Sequence, residues 1–341
     1  MTLIAMDVHK NSSTIAALHP ATGEIIIRKC LTDRNDIARK LADLPRPWTV
    51  AVESSRHSPP VCRWLQAMAG DVKLAHPEKL SKIADLYPAK TDAKDAETML
   101  MLLHLNCLPE CYLAPEQVVE VRDLCRGRNS LREITTKLCN LLRSGFARAG
   151  MVVNYTDLTG CGARALVPEL IAQMGPLSGL MARVFWQLLE LVEGAIAEVE
   201  RHIHEQAHAH PVAAELCGDQ HPGMREVLAL ALVAEIGEIE RFDSPAQLHS
   251  YAGLVPRTSE SGDSRHEGSL PRRCNKHLRR IAVQIAQNAV RCTDPNPAKD
   301  TYERLREERR KGPNTAKIAA ARKVLTEVFF TWRRIVAASA S

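Results

Sequence analysis

Four acidic residues stand where carboxylates can do chemistry: Asp7, Glu53, Asp92 and Asp95. Asp7 ends the apolar run Thr2-Leu3-Ile4-Ala5-Met6-Asp7, and Glu53 ends Trp48-Thr49-Val50-Ala51-Val52-Glu53. A carboxylate at the end of a buried strand is costly unless it is paired or metal-bound. Asp92 and Asp95 lie three positions apart, so on a helix they share one face. Oxygen donors of this kind suit hard divalent cations, with two Mg²⁺ the expectation and Mn²⁺ a substitute. Two such cations can hold the attacking and leaving oxygens of an in-line phosphoryl displacement. Taken singly, the acids have plainer uses: Asp92 and Asp95 as helix caps, Asp7 as a turn residue. Taken together, in this strand-and-helix context, they favour a metal site on a phosphodiester.

The elements that must position them follow from hydrophobic patterning. Residues 2–8, 13–19 and 24–30 read as strands, with a turn at Thr22-Gly23. Asp33 is placed to cap a helix over 34–43. WTVAVE (48–53) reads as a buried strand, Pro59 to about Ala69 as a helix, and DVKLAH (71–76) as a short strand. A helix from about Lys90 to Leu105 carries Asp92 and Asp95 on one face. The pattern is a mixed sheet covered by helices, an α/β domain over 1–112. Strand signals then nearly vanish. Residues 113–212 read as a helical linker with stretches at 116–148 and 165–209, broken at Thr159-Gly160-Cys161-Gly162. Leu188, Leu191, Val192, Ala195, Ile196 and Val199 form an apolar stripe that suits either an antiparallel hairpin or an intersubunit coiled coil. Residues 213–341 read as a mainly helical C-terminal domain. Within it, 257–273 is a polar loop and 275–291 a basic helix.

Charge points to the partner. The net charge is only +5, but residues 257–291 hold eight Lys/Arg against three Asp/Glu, and 301–341 hold ten against four. A third run, 120–148, holds seven against three. Any one run alone would be a solvated helix face; three together fit a polyanion, so nucleic acid is the expected substrate. Aromatics at 4% argue against a stacking platform for single strands. The ten cysteines show no Cys-x-x-Cys pair, and no apolar run approaches a membrane span. With no secretory signal, reduced thiols in a cytosolic compartment are expected. The tract His202 to His210 suits either zinc or an exposed helix end; the latter is the better reading.

These residues carry a family likeness. IAMDVHKNSSTIAAL, AVESS and KTDAKDA resemble the RuvC-like catalytic domain of the DEDD transposases of bacterial insertion sequences. RFDSPAQLHSYAGLVPRTSESG, with Gly268, Asn275 and HLRR, is similar to the second domain of the same family. The resemblance implies a ribonuclease-H-like (RuvC-like) fold for the first domain, with Asp7, Glu53, Asp92 and Asp95 at the DEDD positions. It also implies a serine nucleophile in the second domain. Members of the family are recombinases directed by a structured bridge RNA that pairs with donor and target DNA. They act as dimers to tetramers, the serine of one subunit completing the carboxylate site of another.

The serine carries over to Ser261, directly before Gly262, with Ser259 as the second candidate. Glu260 stands where the family has another serine, and Arg272-Arg273-Cys274-Asn275 lacks the family's glycine. By composition alone, this Ser-Gly cluster is ordinary loop material. A serine hydroxyl must be activated, and no His-Asp pair stands near it, so the carboxylate site is the simpler activator. Arg257, Arg265, Arg272, Arg273, Lys276, Arg279 and Arg280 are expected on DNA or RNA phosphates. The resulting expectation is a metal-dependent DNA recombinase of an insertion sequence. The competing expectations are a Holliday-junction-type hydrolytic nuclease and a nucleic-acid-binding scaffold.

Overall fold

The computed structural model describes residues 1–84, 91–155, 157–261 and 264–339. Lys90, where the acid-bearing helix was expected to start, and Gly262, after the candidate serine, lie outside the described residues. The chain folds as two compact units, Met1–Ala114 and Pro115–Ser341.

The first unit is a six-stranded mixed sheet in the order β3-β2-β1-β4-β5-β6. The strands are β1 (Thr2–Val8), β2 (Ser12–Leu18), β3 (Ile25–Leu31), β4 (Trp48–Glu53), β5 (Gly70–Ala75) and β6 (Glu110–Cys111). β1 pairs antiparallel with β2 and parallel with β4. The helices are α1 (Arg34–Leu41), α2 (Ser58–Ala69), α3 (Pro77–Ala84) and α4 (Asp92–His104). Asp33 caps α1 as expected, its carboxylate accepting from the backbone N–H of Asn35 and Asp36. The sequence reading missed α3, although Leu80, Ile83 and Ala84 have helical spacing, and the two-residue β6, which is too short to show a period.

The two faces of this sheet differ, because successive strand residues point to opposite sides. On one face Ile4, Met6, Val8, Val50 and Val52 meet Ile37 and Leu41 of α1 and Val61 and Leu65 of α2. On the other face the chain offers alanines: Ala5, Ala16, Ala51 and Ala75. Ala96, Met99, Leu100 and Leu103 of α4 pack there. Small side chains under a helix let its backbone approach the sheet closely. Asp7 follows Ala5 on this face, and Glu53 follows Ala51.

The second unit is built on two long helices, α5 (Glu116–Arg148) and α7 (Pro176–Ala209), packed antiparallel. Arg128 meets Glu200, and Arg132 meets both Glu193 and Glu200. The stripe read from the sequence splits accordingly. Ile196 is buried between the helices, whereas Leu188 and Leu191 are 43% and 70% exposed. The second helical stretch is also two helices. α6 (Cys161–Ala172) starts four residues earlier than expected and stops before Gly175-Pro176, which begin α7. Pro176 is favourable as the first residue of a helix, and Gly175 before it is the N-cap of α7.

α6 covers the far end of the pair, around Leu142, Phe146, Val167 and Trp186. At the other end a larger core joins α7 to α8 (Pro211–Leu216), α9 (Glu226–Ile236), α10 (Pro245–Tyr251), α11 (Lys276–Arg291), α12 (Pro297–Glu307) and α13 (Pro313–Ser339). The polar segment expected as loop contains an antiparallel hairpin, β7 (Thr258–Ser261) with β8 (Ser264–Glu267). Its strands carry no apolar alternation, so the usual strand signal was absent.

One buried charge ties this unit together. The Glu235 carboxylate on α9, its side chain 3% exposed, accepts two bonds from Arg126 on α5 at 2.7 and 2.8 Å. It accepts a third, 2.9 Å, from the Asn275 side chain at the start of α11. Burial alone would raise its pKa, but the Arg126 and Asn275 bonds win and hold it below the ordinary value.

Two predictions follow from these contacts. Ala51→Leu overfills the α4 face and costs about 1–3 kcal/mol, read as a lower urea midpoint; an unchanged midpoint contradicts the close approach of α4. Glu235→Gln destabilises the second unit at neutral pH. Because the folded pKa is depressed, the contribution is complete above the ordinary glutamate value of 4.5 and is lost as pH falls through the lower folded value. The stability gap between wild type and Glu235→Gln therefore closes only in acid, as chemical denaturation at several pH values checks.

Candidate functional site

The acids of the first unit converge where β1 ends beneath α4. Asp7 is the penultimate residue of β1 and is 6% exposed. Register along the parallel pair places Met6 beside Val52, so the next step along both strands brings Asp7 and Glu53 side by side at the same sheet edge. Adjacent positions in register point to the same face. Glu53 is half-buried there.

α4 supplies the other two acids. Its N-cap is Thr91, whose hydroxyl accepts from the Lys94 N–H at 3.3 Å. Capping is thus done by Thr91, and Asp92 and Asp95 are free of that task. Both sit in the first turn, where the helix dipole favours negative charge. Burial raises the pKa of Asp7; the nearby His9 ring lowers it, and the charges of Asp92 and Asp95 raise it again. The net shift is upward. Three of the four acids therefore share one electrostatic site, and it is short of positive charge.

The residue that sequence reasoning missed is His9. Its Nε2 lies 3.1 Å from Asp7 Oδ2 and 3.8 Å from Asp92 Oδ1. Donor atoms of Asp7, His9 and Asp92 all fall within 4.8 Å of one another, a grouping that could hold a metal ion. The signal was present in the sequence. Asp-x-His along a strand end puts both side chains on one face, two positions apart. The His9 backbone is fixed by a bond from its N–H to Ser12 O and one from the Thr32 hydroxyl to its carbonyl.

The histidine tract forms no comparable grouping among the described residues. His202 lies by Glu205, His208 by Glu226, and His210 helps to cap α8. All ten cysteines are free, and among the described residues no helix is long and apolar enough to cross a membrane.

Ser261 lies in the second unit, at the end of β7, with Ser264 opposite it in register. Ser259 stands opposite His266, and Glu260 opposite Arg265. Gly268 N–H donates to Arg257 O at 2.7 Å, which extends the hairpin toward its base. Arg257, Arg272, Arg273 and Lys276 are exposed around this arm and the start of α11. Two of the expected phosphate ligands are engaged within the fold. Arg280 pairs with Glu133 of α5 at 3.0 Å, and Arg279 donates to the carbonyls of Ala252 and Pro271.

Comparison with known proteins finds a match in each unit. Residues 4–149 match the DEDD transposase domain of IS110-type elements, and residues 219–303 match the domain described as the transposase IS116/IS110/IS902 family. The chain is 26% identical over 253 residues to a Pseudomonas aeruginosa protein named "Probable family 20 transposase", covering 72% of each chain. It is 27% identical over 300 residues to the 43.6 kDa protein of insertion element IS110 of Streptomyces coelicolor, covering 73% of each. It is 24% identical to the transposase for insertion sequence element IS1328 of Yersinia enterocolitica, covering 84% of this chain and 83% of that one. With its acid-bearing sheet domain and its serine-bearing helical domain both matched in order, the chain carries DEDD and IS110/IS116-type transposase domains.

Proposed function

We propose that this insertion-sequence transposase cuts and rejoins DNA with Ser261 as nucleophile and the Asp7 site as its metal centre. The observation that carries the metal centre is the convergence of Asp7, His9 and Asp92 on one point, with Asp95 acting on the same buried carboxylate. A buried carboxylate whose pKa is pushed up by burial and by two neighbouring acids is a group that a divalent cation would relieve. Asp7, Glu53, Asp92 and Asp95 would hold Mg²⁺ or Mn²⁺, with His9 beside them. When bound, such ions neutralise charge on the scissile phosphate.

The chain's own residues supply the rest. Ser261 Oγ forms a bond to phosphorus and gives up its proton to solvent. The bond to the departing deoxyribose oxygen breaks, and that oxygen takes up a proton. The phosphoserine link keeps the energy of the broken phosphodiester for rejoining. Arg257, Arg265, Arg272, Arg273 and Lys276 would hold the flanking phosphates; a guanidinium matches a phosphate in a two-pronged bond. The functional parts in this reading are the acid domain (1–112), the helical linker (113–212) and the serine domain (213–341). Direction by a bridge RNA, and assembly of two to four subunits in which serine and acids meet, complete the reading; both rest on the family resemblance.

Trapping protein–DNA adducts tests the serine. Wild type is expected to form a covalent adduct that Ser261→Ala lacks and Ser259→Ala retains. Cleavage that persists without an adduct in Ser261→Ala would instead support water as the nucleophile. For the acids, Asp92→Asn is expected to lower strand cleavage by about a hundredfold or more, as loss of one preorganised charge does. Calorimetric titration with Mn²⁺ should show weakened binding in the same variant. Full activity with unchanged Mn²⁺ binding would remove Asp92 from the site.

A further inference from the structure

The serine-bearing arm leaves the helical core after α10 and returns at α11, and both of its ends meet at one side chain. From Arg279, on the first turn of α11, Nε donates to Ala252 O at 3.3 Å and Nη2 to Pro271 O at 2.5 Å. Ala252 ends α10, just before the arm departs, and Pro271 lies just after it comes back. One planar guanidinium thus spans the two ends of a segment that encloses β7 and β8.

The neighbouring backbone is shaped to admit it. Gly253 has φ +67°, and a Cβ there would lie 2.2 Å from Arg279 Nη2 and 2.6 Å from Cys274 Cβ. Only glycine permits both the left-handed turn and the close passage of the guanidinium. A second tie lies one step away. Asn275 N–H donates to Tyr251 O at 3.1 Å, and the Asn275 side chain reaches Tyr251 Oη at 3.2 Å and the buried Glu235 at 2.9 Å. The base of the arm is therefore anchored to α9 and, through Arg126, to α5.

We infer that Arg279 is a positioning residue: it clamps the two ends of the serine arm and so sets where β7 presents Ser261, rather than binding a DNA phosphate. The inference rests on the serine reading for its catalytic consequence but not for the clamp itself. Lysine cannot replace the arginine, because one ammonium cannot reproduce the fixed fork that reaches two carbonyls at once. A guanidinium already committed to two carbonyls is also a poor phosphate ligand. Arg272, exposed two residues before Cys274, has no such commitment and serves as the comparison.

The experiment uses the full chain and three readouts. Amide hydrogen exchange over 258–261 and 264–267 reports on the arm. Binding to duplex DNA across a salt series reports on phosphate contacts. Adduct formation on the ends of the insertion element reports on chemistry. In Arg279→Lys the arm's amides are expected to exchange about tenfold faster with the global melting temperature nearly unchanged, as for a locally opened unit. The salt slope of DNA binding stays that of wild type, and the adduct rate falls about 10- to 100-fold without a change in half-saturating DNA. Arg272→Gln shows the converse: a salt slope smaller by about one and unchanged exchange. Unchanged arm exchange in Arg279→Lys, or a salt slope reduced by about one, overturns the clamp.

Should Arg279→Lys not fold, wild type still decides the question. In low denaturant, arm amides that open together with Leu278 and Arg279 support the clamp, and arm amides that open independently of them refute it. The two readings fail separately. A fully active Ser261→Ala removes the nucleophile yet leaves the exchange result standing. A serine-dependent adduct with an unclamped arm does the reverse.

Discussion

The acid site depends on how closely α4 lies against the sheet. Ala5, Ala16, Ala51 and Ala75 give the helix a floor with almost no side-chain height. A larger residue at any of these positions would lift α4 and carry Asp92 and Asp95 away from Asp7. The opposite face of the same strands is lined by Ile4, Met6, Val8, Val50 and Val52 and bears the larger apolar core. One face holds the unit together and the other sets the distance at which its charges meet. The carboxylates stand where the alanine rows run out, at the carboxyl ends of β1 and β4.

Charge is managed in opposite ways in the two units. In the second, Glu235 is buried with a full set of donors, two from Arg126 and one from Asn275, and its pKa is held down. In the first, Asp7 is buried beside two further acids, with His9, among the described residues, offsetting them in part, and its pKa is pushed up. A satisfied buried carboxylate fixes the register of helices; an unsatisfied one is poised to take a ligand. The contrast separates Glu235 from the acids of the proposed metal site more clearly than burial does.

Basic residues divide in the same way. Arg126, Arg128, Arg132 and Arg279 are spent on the fold, on Glu235, Glu200, Glu193 and the ends of the serine arm. Arg257, Arg272, Arg273 and Lys276 remain exposed around that arm. Part of the positive charge in residues 120–148 is therefore spent inside the fold, on α7 and α9, while Arg257, Arg272 and Lys276 face solvent. A count of lysine and arginine along the chain could not distinguish them, since both runs show the same excess of basic residues.

The sequence by itself determined the strand and helix order of the first unit apart from α3 and β6, the helical character of the second and the four acids, because apolar periodicity and a carboxylate after an apolar run are local signals. It also carried the family likeness at both ends. What it could not supply were facts made by approach rather than by order. His9 joins the acids only because β1 and the first turn of α4 meet. Thr91 takes the cap and frees Asp92 and Asp95. The hairpin around Ser261 forms from polar residues whose pairing has no periodic signature, and Arg279 belongs to its base only because α10 and α11 lie side by side. Tertiary structure decided these because each depends on residues far apart in the chain coming within hydrogen-bonding reach, a distance that no spacing in the sequence encodes.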